Sequence, residues 1–215
     1  SLTTPAYTEL NEQLNATQNV KMLNPLSQDL SVLRQSMLYS GLESVSYNIN
    51  RKRSDLKLFE FGKTYHDFNG SRVENKHLSI FISGNRNAER WNSTSGRTDF
   101  FLLKGVIQSI FQRFGIENLK PSAVKSDVFS EGLIFSSAKS NLVSFGVIRK
   151  KVLKHFDIEK EVLYADFNWD ALLEVTKARK TSFSAIPKYP AVRRDFALLL
   201  NNNVSYEEIE QIALK

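Results

Sequence analysis

Between Leu38 and Ile49 the apolar residues Leu38, Leu42, Val45 and Ile49 recur at spacings of four, three and four, the stripe of a helix buried along one side. Either Ser36 or Ser40 is placed to cap its start, the second with Glu43 three positions on as in a capping box. Arg51, Lys52 and Arg53 then form a solvated turn. From Leu56 to Tyr65 the period drops to two, with Phe59, Phe61 and Tyr65 on one side of a strand and Leu56, Leu58, Glu60 and Gly62 on the other. Apolar residues on both sides predict a central strand. Asn69-Gly70-Ser71 is a hairpin signal that returns the chain antiparallel as His77 to Ser83, so a long hairpin is predicted at the centre of a sheet.

The clearest helix runs from Asp99 to Phe114, with Phe100, Leu103, Ile107, Ile110 and Phe114 on one face. Thr98 or Asp99 caps it, and Gly115 stands where a left-handed residue closes a helix. Burying such a stripe is worth roughly 1.5 to 3 kcal/mol per large side chain before entropy is subtracted. Short apolar runs at 119–124, 132–136 and 142–148 read as an antiparallel extension of the sheet. Arg149 to His155 begins a basic helical turn, Glu161 to Trp169 reads as another strand, and Asp170 to Val175 as a short helix. Upstream, residues 1–19 are polar with a helical turn at Glu9 to Leu14, and Val20 to Leu23 is a short strand before the turn at Asn24-Pro25. Lys177 to Pro190 is basic, then carries Ser182, Ser184, Pro187 and Pro190, the composition of a linker. Beyond it lie a predicted strand at 193–200, a turn at Asn201 to Asn203 and a helix from Ser205 to Leu214 with Glu208 completing a capping box. Residue 1 is Ser and the last helix has no closing Gly or Pro, so the chain reads as a piece of something longer.

Composition changes this picture little. Apolar content of 41% with 24% charged residues is ordinary for a soluble globular chain. No apolar run reaches the roughly 20 residues that span a bilayer and no signal-peptide pattern opens the chain, so no membrane partner and a cytoplasmic location are expected. The absence of cysteine excludes disulfides, thiolate catalysis and Cys-ligated zinc. A formal net charge of +6 favours a polyanionic partner. His66, His77 and His155 fall in separate elements without metal-ligand spacing, and no glycine-rich phosphate loop or GxSxG nucleophile motif is present. In the loop from Gly84 to Asn92, Arg86, Arg90 and Trp91 either touch a partner or form a rim with Trp91 folded onto the core, the second reading being preferred. Glu60, on the same strand face as Leu58, needs a partner if buried, and Arg34 is the candidate.

The words NPLS, SVLRQSML and LKLFEFGKTY, in that order, resemble the core module of the β subunit of bacterial phenylalanyl-tRNA synthetase. Further on, KYPAVRRDFALLL resembles the opening of the ferredoxin-like anticodon-binding domain that ends those subunits. The resemblance implies an α+β fold: a mainly antiparallel sheet flanked by helices, a degenerate class II synthetase core over residues 1–180, a linker at 181–190, and the truncated start of a ferredoxin-like domain at 191–215. It implies that the catalytic α subunit, in an α2β2 heterotetramer, uses ATP and Mg2+ to charge tRNA(Phe) with phenylalanine, and that this chain serves as its structural partner.

Active class II modules hold ATP phosphate with an Arg at the end of the first hairpin strand and with a late Gly-rich motif carrying a second Arg. An Arg suits both tasks because its planar fork binds phosphate bidentately and stays charged. Here the first position reads Thr64-Tyr65-His66, and Gly146-Val147-Ile148-Arg149 lacks the glycine pair. The resemblance therefore implies no catalytic, cofactor or metal residue in this chain. The candidates for tRNA contact are Lys188, Arg193 and Arg194, with Lys177, Arg179 and Lys180 before them. The alternative is a stand-alone basic RNA-binding module with no synthetase partner.

Overall fold

The computed structural model describes residues 1–215 except 13, 26, 88–90, 93–95, 117–118, 138–139, 178–182, 184 and 214–215. It divides into two units, Ser1–Arg179 and Lys180–Lys215.

In the first unit, β1 (Leu2–Thr3) pairs antiparallel with β2 (Val32–Leu33), and 3-10 turns at Pro5–Glu9, Ala16–Gln18 and Gln28–Leu30 occupy the chain between them. The expected turn at Glu9 to Leu14 falls earlier because Thr4 caps the first of these through the N–H of Ala6 and Pro5 fixes its opening dihedral. The expected strand at Val20 to Leu23 reduces to one bridge from Lys21 to Val32. Helix α1 (Leu38–Ile49) buries Leu38, Tyr39, Leu42 and Val45. Ser36 accepts the N–H of Leu38 at 3.1 Å, whereas the Ser40 hydroxyl donates back to the Met37 carbonyl, so the serine that serves the start is Ser36.

Strands β3 (Leu56–Phe68) and β4 (Ser71–Ser83) form the long hairpin, closed by Asn69 and Gly70 at φ 55° and 93°. Two successive left-handed residues match the right-handed twist of the strands they join. Helix α2 (Phe100–Arg113) opens on Asp99, whose carboxylate accepts the Leu102 N–H at 2.8 Å, and closes before Gly115 at φ 66°. There follow β5 (Pro121–Ala123), β6 (Phe129–Ser136), β7 (Asn141–Ile148), α3 (Lys150–Lys154), β8 (Val162–Asn168) and α4 (Trp169–Lys177). The sheet runs β3-β4-β8-β7-β6-β5, every neighbouring pair antiparallel.

The hairpin thus lies at one edge and β8 and β7 at the centre, which corrects the central placement expected from the two-sided apolar pattern of β3. Alternation reports which face a side chain takes, not how many strands flank it. On β3 the outer aromatics stay partly uncovered: Phe59 is 70% exposed, and Phe61 rests on Trp169 with ring centroids 4.8 Å apart.

One sheet face carries Leu78, Ile80, Ile82, Val143, Phe145, Leu163, Ala165 and Phe167 against Leu103, Ile107 and Phe111 of α2 and Leu172 of α4. The opposite face carries Phe81, Phe129, Ile148, Val162 and Tyr164 against Leu38, Leu42 and Val45 of α1 and Val152 and Leu153 of α3. No helix among the described residues is long and apolar enough to cross a membrane.

In the second unit, α5 (Tyr206–Ala213) is opened by Ser205 and Glu208: the Glu208 N–H donates to the Ser205 hydroxyl at 3.3 Å and the Ser205 N–H to the Glu208 carboxylate at 2.9 Å. Residues 193–200 form no strand, contrary to expectation. A strand exists through hydrogen bonds to a neighbour, and the described residues of this unit supply none; Phe196 and Leu199 lie exposed.

Candidate functional site

The face of the sheet that α1 covers turns from apolar to polar along its strands. Residues paired across an antiparallel ladder point the same way, so Thr64 of β3, His77 and Ser79 of β4, and Tyr164, Asp166 and Asn168 of β8 share that face. They join into one hydrogen-bonded chain. Thr64 Oγ1 lies 3.0 Å from His77 Nε2, and His77 Nδ1 lies 3.0 Å from Asp166 Oδ1. Ser79 donates to the same Asp166 oxygen at 3.2 Å and its hydroxyl stands 3.4 Å from that of Tyr164. Burial pushes the Tyr164 phenol well above its ordinary range, so it stays protonated. His66, on the same face, stacks on Phe68, and its buried Nδ1 has no partner; burial, then the nearby His77, lowers its pKa from the usual 6.5.

Above this chain opens a cleft of about 310 Å³, lined by His77, Tyr164, Asp166 and Asn168 with Asn141 and Ser144 of β7 and residues of the β5–β6 side. No lysine or arginine lines it among the described residues, and Asp166 is its one carboxylate. Such a lining hydrogen-bonds and attracts cations; it offers nothing to neutralise a phosphate. Asp166 was the missed signal in the sequence: a carboxylate inside the apolar run of a central strand needs a fixed partner, and His77 supplies it.

Arg34 sits beside the cleft without lining it. Its guanidinium donates to Glu60 Oε1 at 2.7 Å, to the Ser40 hydroxyl at 3.1 Å and, through Nε, to the Lys63 carbonyl at 3.0 Å, while its own carbonyl accepts the Tyr65 N–H. Burial is the reverse of what the sequence suggested: the Arg34 side chain is 6% exposed and that of Glu60 44%. A strand face lined by a half-solvated carboxylate thus anchors a buried cation. Gly62 makes this possible, because a Cβ there would collide with the Arg34 guanidinium and the Met37 thioether.

The remaining candidates are scattered. Lys188, Arg193 and Arg194 are exposed in the second unit, with Arg193 Nε 3.4 Å from Asp195. Lys177 is paired with Glu174 at 2.6 Å, and Arg179 and Lys180 lie outside the described residues, as do Arg90, Ser182 and Ser184. Trp91 is 99% exposed, which overturns its expected place on the core.

Residues 1–169, from β1 to the start of α4, match the family described as the phenylalanyl tRNA synthetase beta chain CLM domain. The chain belongs to this family. The matched residues span the sheet, α1, α2, α3 and the cleft, and end where α4 begins. Similar proteins include the phenylalanine–tRNA ligase beta subunits of Bacteroides thetaiotaomicron, 40% identical over 99% of this chain and 27% of the relative, and of Porphyromonas gingivalis, 34% identical over 99% and 28%. The chain spans about a quarter of the length of the curated relatives it matches. In fold, the domain is similar to a crystal structure of pyrrolysyl-tRNA synthetase from Desulfitobacterium hafniense, with a TM-score of 0.59 at 14% identity, covering 83% of this chain and 64% of that one. The beta chain words Leu-Arg and Leu-Phe-Glu-x-Gly now have a physical reading, since Arg34, Glu60 and Gly62 are the three parts of one lock.

Proposed function

We propose that this chain is the core of the β subunit of a phenylalanine–tRNA ligase, a non-catalytic structural partner of an α subunit that charges tRNA(Phe) with phenylalanine using ATP and Mg2+ in an α2β2 assembly in the cytoplasm. Membership of the beta chain family supports the first part, and the composition of the cleft carries the second. A nucleoside triphosphate entering beside His77 would meet the Asp166 carboxylate and a ring of Asn and Ser side chains, with no guanidinium or ammonium among the described residues of the lining to offset its charge. Arg34, whose charge is felt at Tyr164, is spent on Glu60, Ser40 and Lys63. On this reading residues 191–215 begin a ferredoxin-like anticodon-binding domain after a linker at 181–190, with Lys188, Arg193 and Arg194 as contacts to tRNA.

The test has two arms. Calorimetric titration of the chain with ATP and Mg2+ is expected to give no binding, and a micromolar dissociation constant would overturn the non-catalytic assignment. Co-expression of the full-length β subunit with the α subunit is expected to yield a complex that aminoacylates tRNA(Phe); a β subunit that purifies alone and binds RNA without α would favour the stand-alone module.

A further inference from the structure

Among the described residues of the core, Arg34, Lys63, Arg72, Lys76 and Lys177 have carboxylate partners, and most other cations are spread singly or in a loop. Helix α3 and the residue before it gather four unpaired ones within six positions. Val152 and Leu153 hold it down in the core shared with α1, which at helical periodicity leaves Arg149, Lys150, Lys151 and Lys154 on the solvent side. None of these four lies within ion-pair distance of a carboxylate among the described residues, and neither does Lys125 across the groove.

An open groove of about 1010 Å³, lined by Lys125, Arg149, Lys151 and Lys154 with Lys150 exposed beside it, adds the hydroxyls of Ser126 and Ser130 and the ring of His155. Arg149 donates to the Ser126 carbonyl at 3.3 Å, tying α3 to the far wall. Glu9, Glu12 and Asp127 line the side of the groove nearer the N-terminus, and Asp127 accepts the Glu12 N–H at 2.8 Å. Residues 149–154 contain no carboxylate, so Arg149, Lys151 and Lys154 stand together on one side of the groove and define a track for an anion along α3. The apolar residues that line the groove, Leu10, Val124, Phe129 and Val152, are buried or half-buried, and Arg149, Lys151 and Lys154 stand on a turn anchored by Val152 and Leu153 with serine donors opposite. That combination suits the spaced phosphates of a nucleic-acid backbone, which are held by Lys and Arg charges and neutral hydroxyl donors without base recognition.

We infer that α3 and its flanks form a phosphate-backbone contact for RNA on the core itself, separate from the cations of the second unit. This rests on the proposed role in tRNA(Phe) charging, since the bound polyanion would be that tRNA.

The test uses the full-length β subunit assembled with α, as wild type and as Lys150→Gln/Lys151→Gln/Lys154→Gln, with tRNA(Phe) affinity measured across a salt series. All three lysines are exposed, and an unchanged thermal melt of the variant assembly checks that it is folded. Each lost phosphate contact lowers the slope of log affinity against log salt by about 0.7 to 1. The expected result is a slope shallower by about 2 to 3 with weaker binding at low salt and the same rate for ATP-dependent activation of phenylalanine. A variant that matches wild type in slope and affinity overturns the inference and leaves the functional reading standing. If wild type binds no tRNA(Phe) and charges none, both fall.

Discussion

At the scale of single residues, Gly62 has little freedom. Its missing side chain is the space in which the Arg34 guanidinium and Met37 rest, so Gly62→Ala must displace a buried cation from Glu60, Ser40 and the Lys63 carbonyl at once. Overpacking of this kind costs about 1 to 3 kcal/mol. Denaturant unfolding of the variant is expected to show a loss in that range, and a loss below about 0.5 kcal/mol, the usual size of a surface effect, would show that the lock is loose.

His66 makes a second prediction. Its pKa is lowered in the folded chain because protonation would place a charge on a partly buried ring near His77. The unfolded chain takes up the proton more readily, so this contribution to stability is complete above the ordinary histidine value of 6.5 and is lost as the pH falls below it toward the folded value. His66→Phe, which keeps a ring against Phe68, is expected to flatten the drop in unfolding free energy between pH values of about 7.5 and about 5.5.

Among the elements, helices were more legible in the sequence than strand positions. The stripe from Leu103 through Ile107 and the flanking Asp99 and Gly115 declare both the face and the ends of α2, because capping is local chemistry. Asp99→Ala removes the acceptor of the Leu102 N–H and is expected to cost about 1 kcal/mol in thermal or denaturant unfolding. The place of β3 in the sheet was not legible, since an apolar outer face can be covered by helix residues such as Trp169 as well as by the neighbours of a central strand. The stretch at 193–200 has the composition of a strand, but composition cannot supply the partner that makes one. Strand facing puts Glu60 on the Leu58 face and asks for a partner, for which Arg34 is the candidate; which of the two is buried depends on Gly62 and Met37, whose packing is tertiary. The His77–Asp166 chain joins residues 89 apart in sequence, so only Asp166 in its apolar surroundings hinted at it.

Over the whole molecule, the two faces of the sheet divide the work. The α2 and α4 side is a continuous apolar core, and the other side spends part of its length on a polar cleft. A fold similar to that of a tRNA synthetase thus carries, on one face of its sheet, a polar cleft beside which the buried Nδ1 of His66 has no partner. The polar chain runs in a line from Thr64 through His77, Asp166 and Ser79 to Tyr164 and ties β3, β4 and β8 together beneath the cleft.

The outermost strand of that sheet has a practical outcome for anyone handling the chain alone. Arg34 occupies the Tyr65 N–H and the Lys63 carbonyl on the free side of β3, but along Phe59 and Phe61 nothing among the described residues does. Two uncovered phenylalanines beside open peptide groups make a template on which a second molecule can build. Isolated chains are expected to stick to one another in light scattering as concentration rises, and Phe59→Lys is expected to keep them apart without altering the melting temperature.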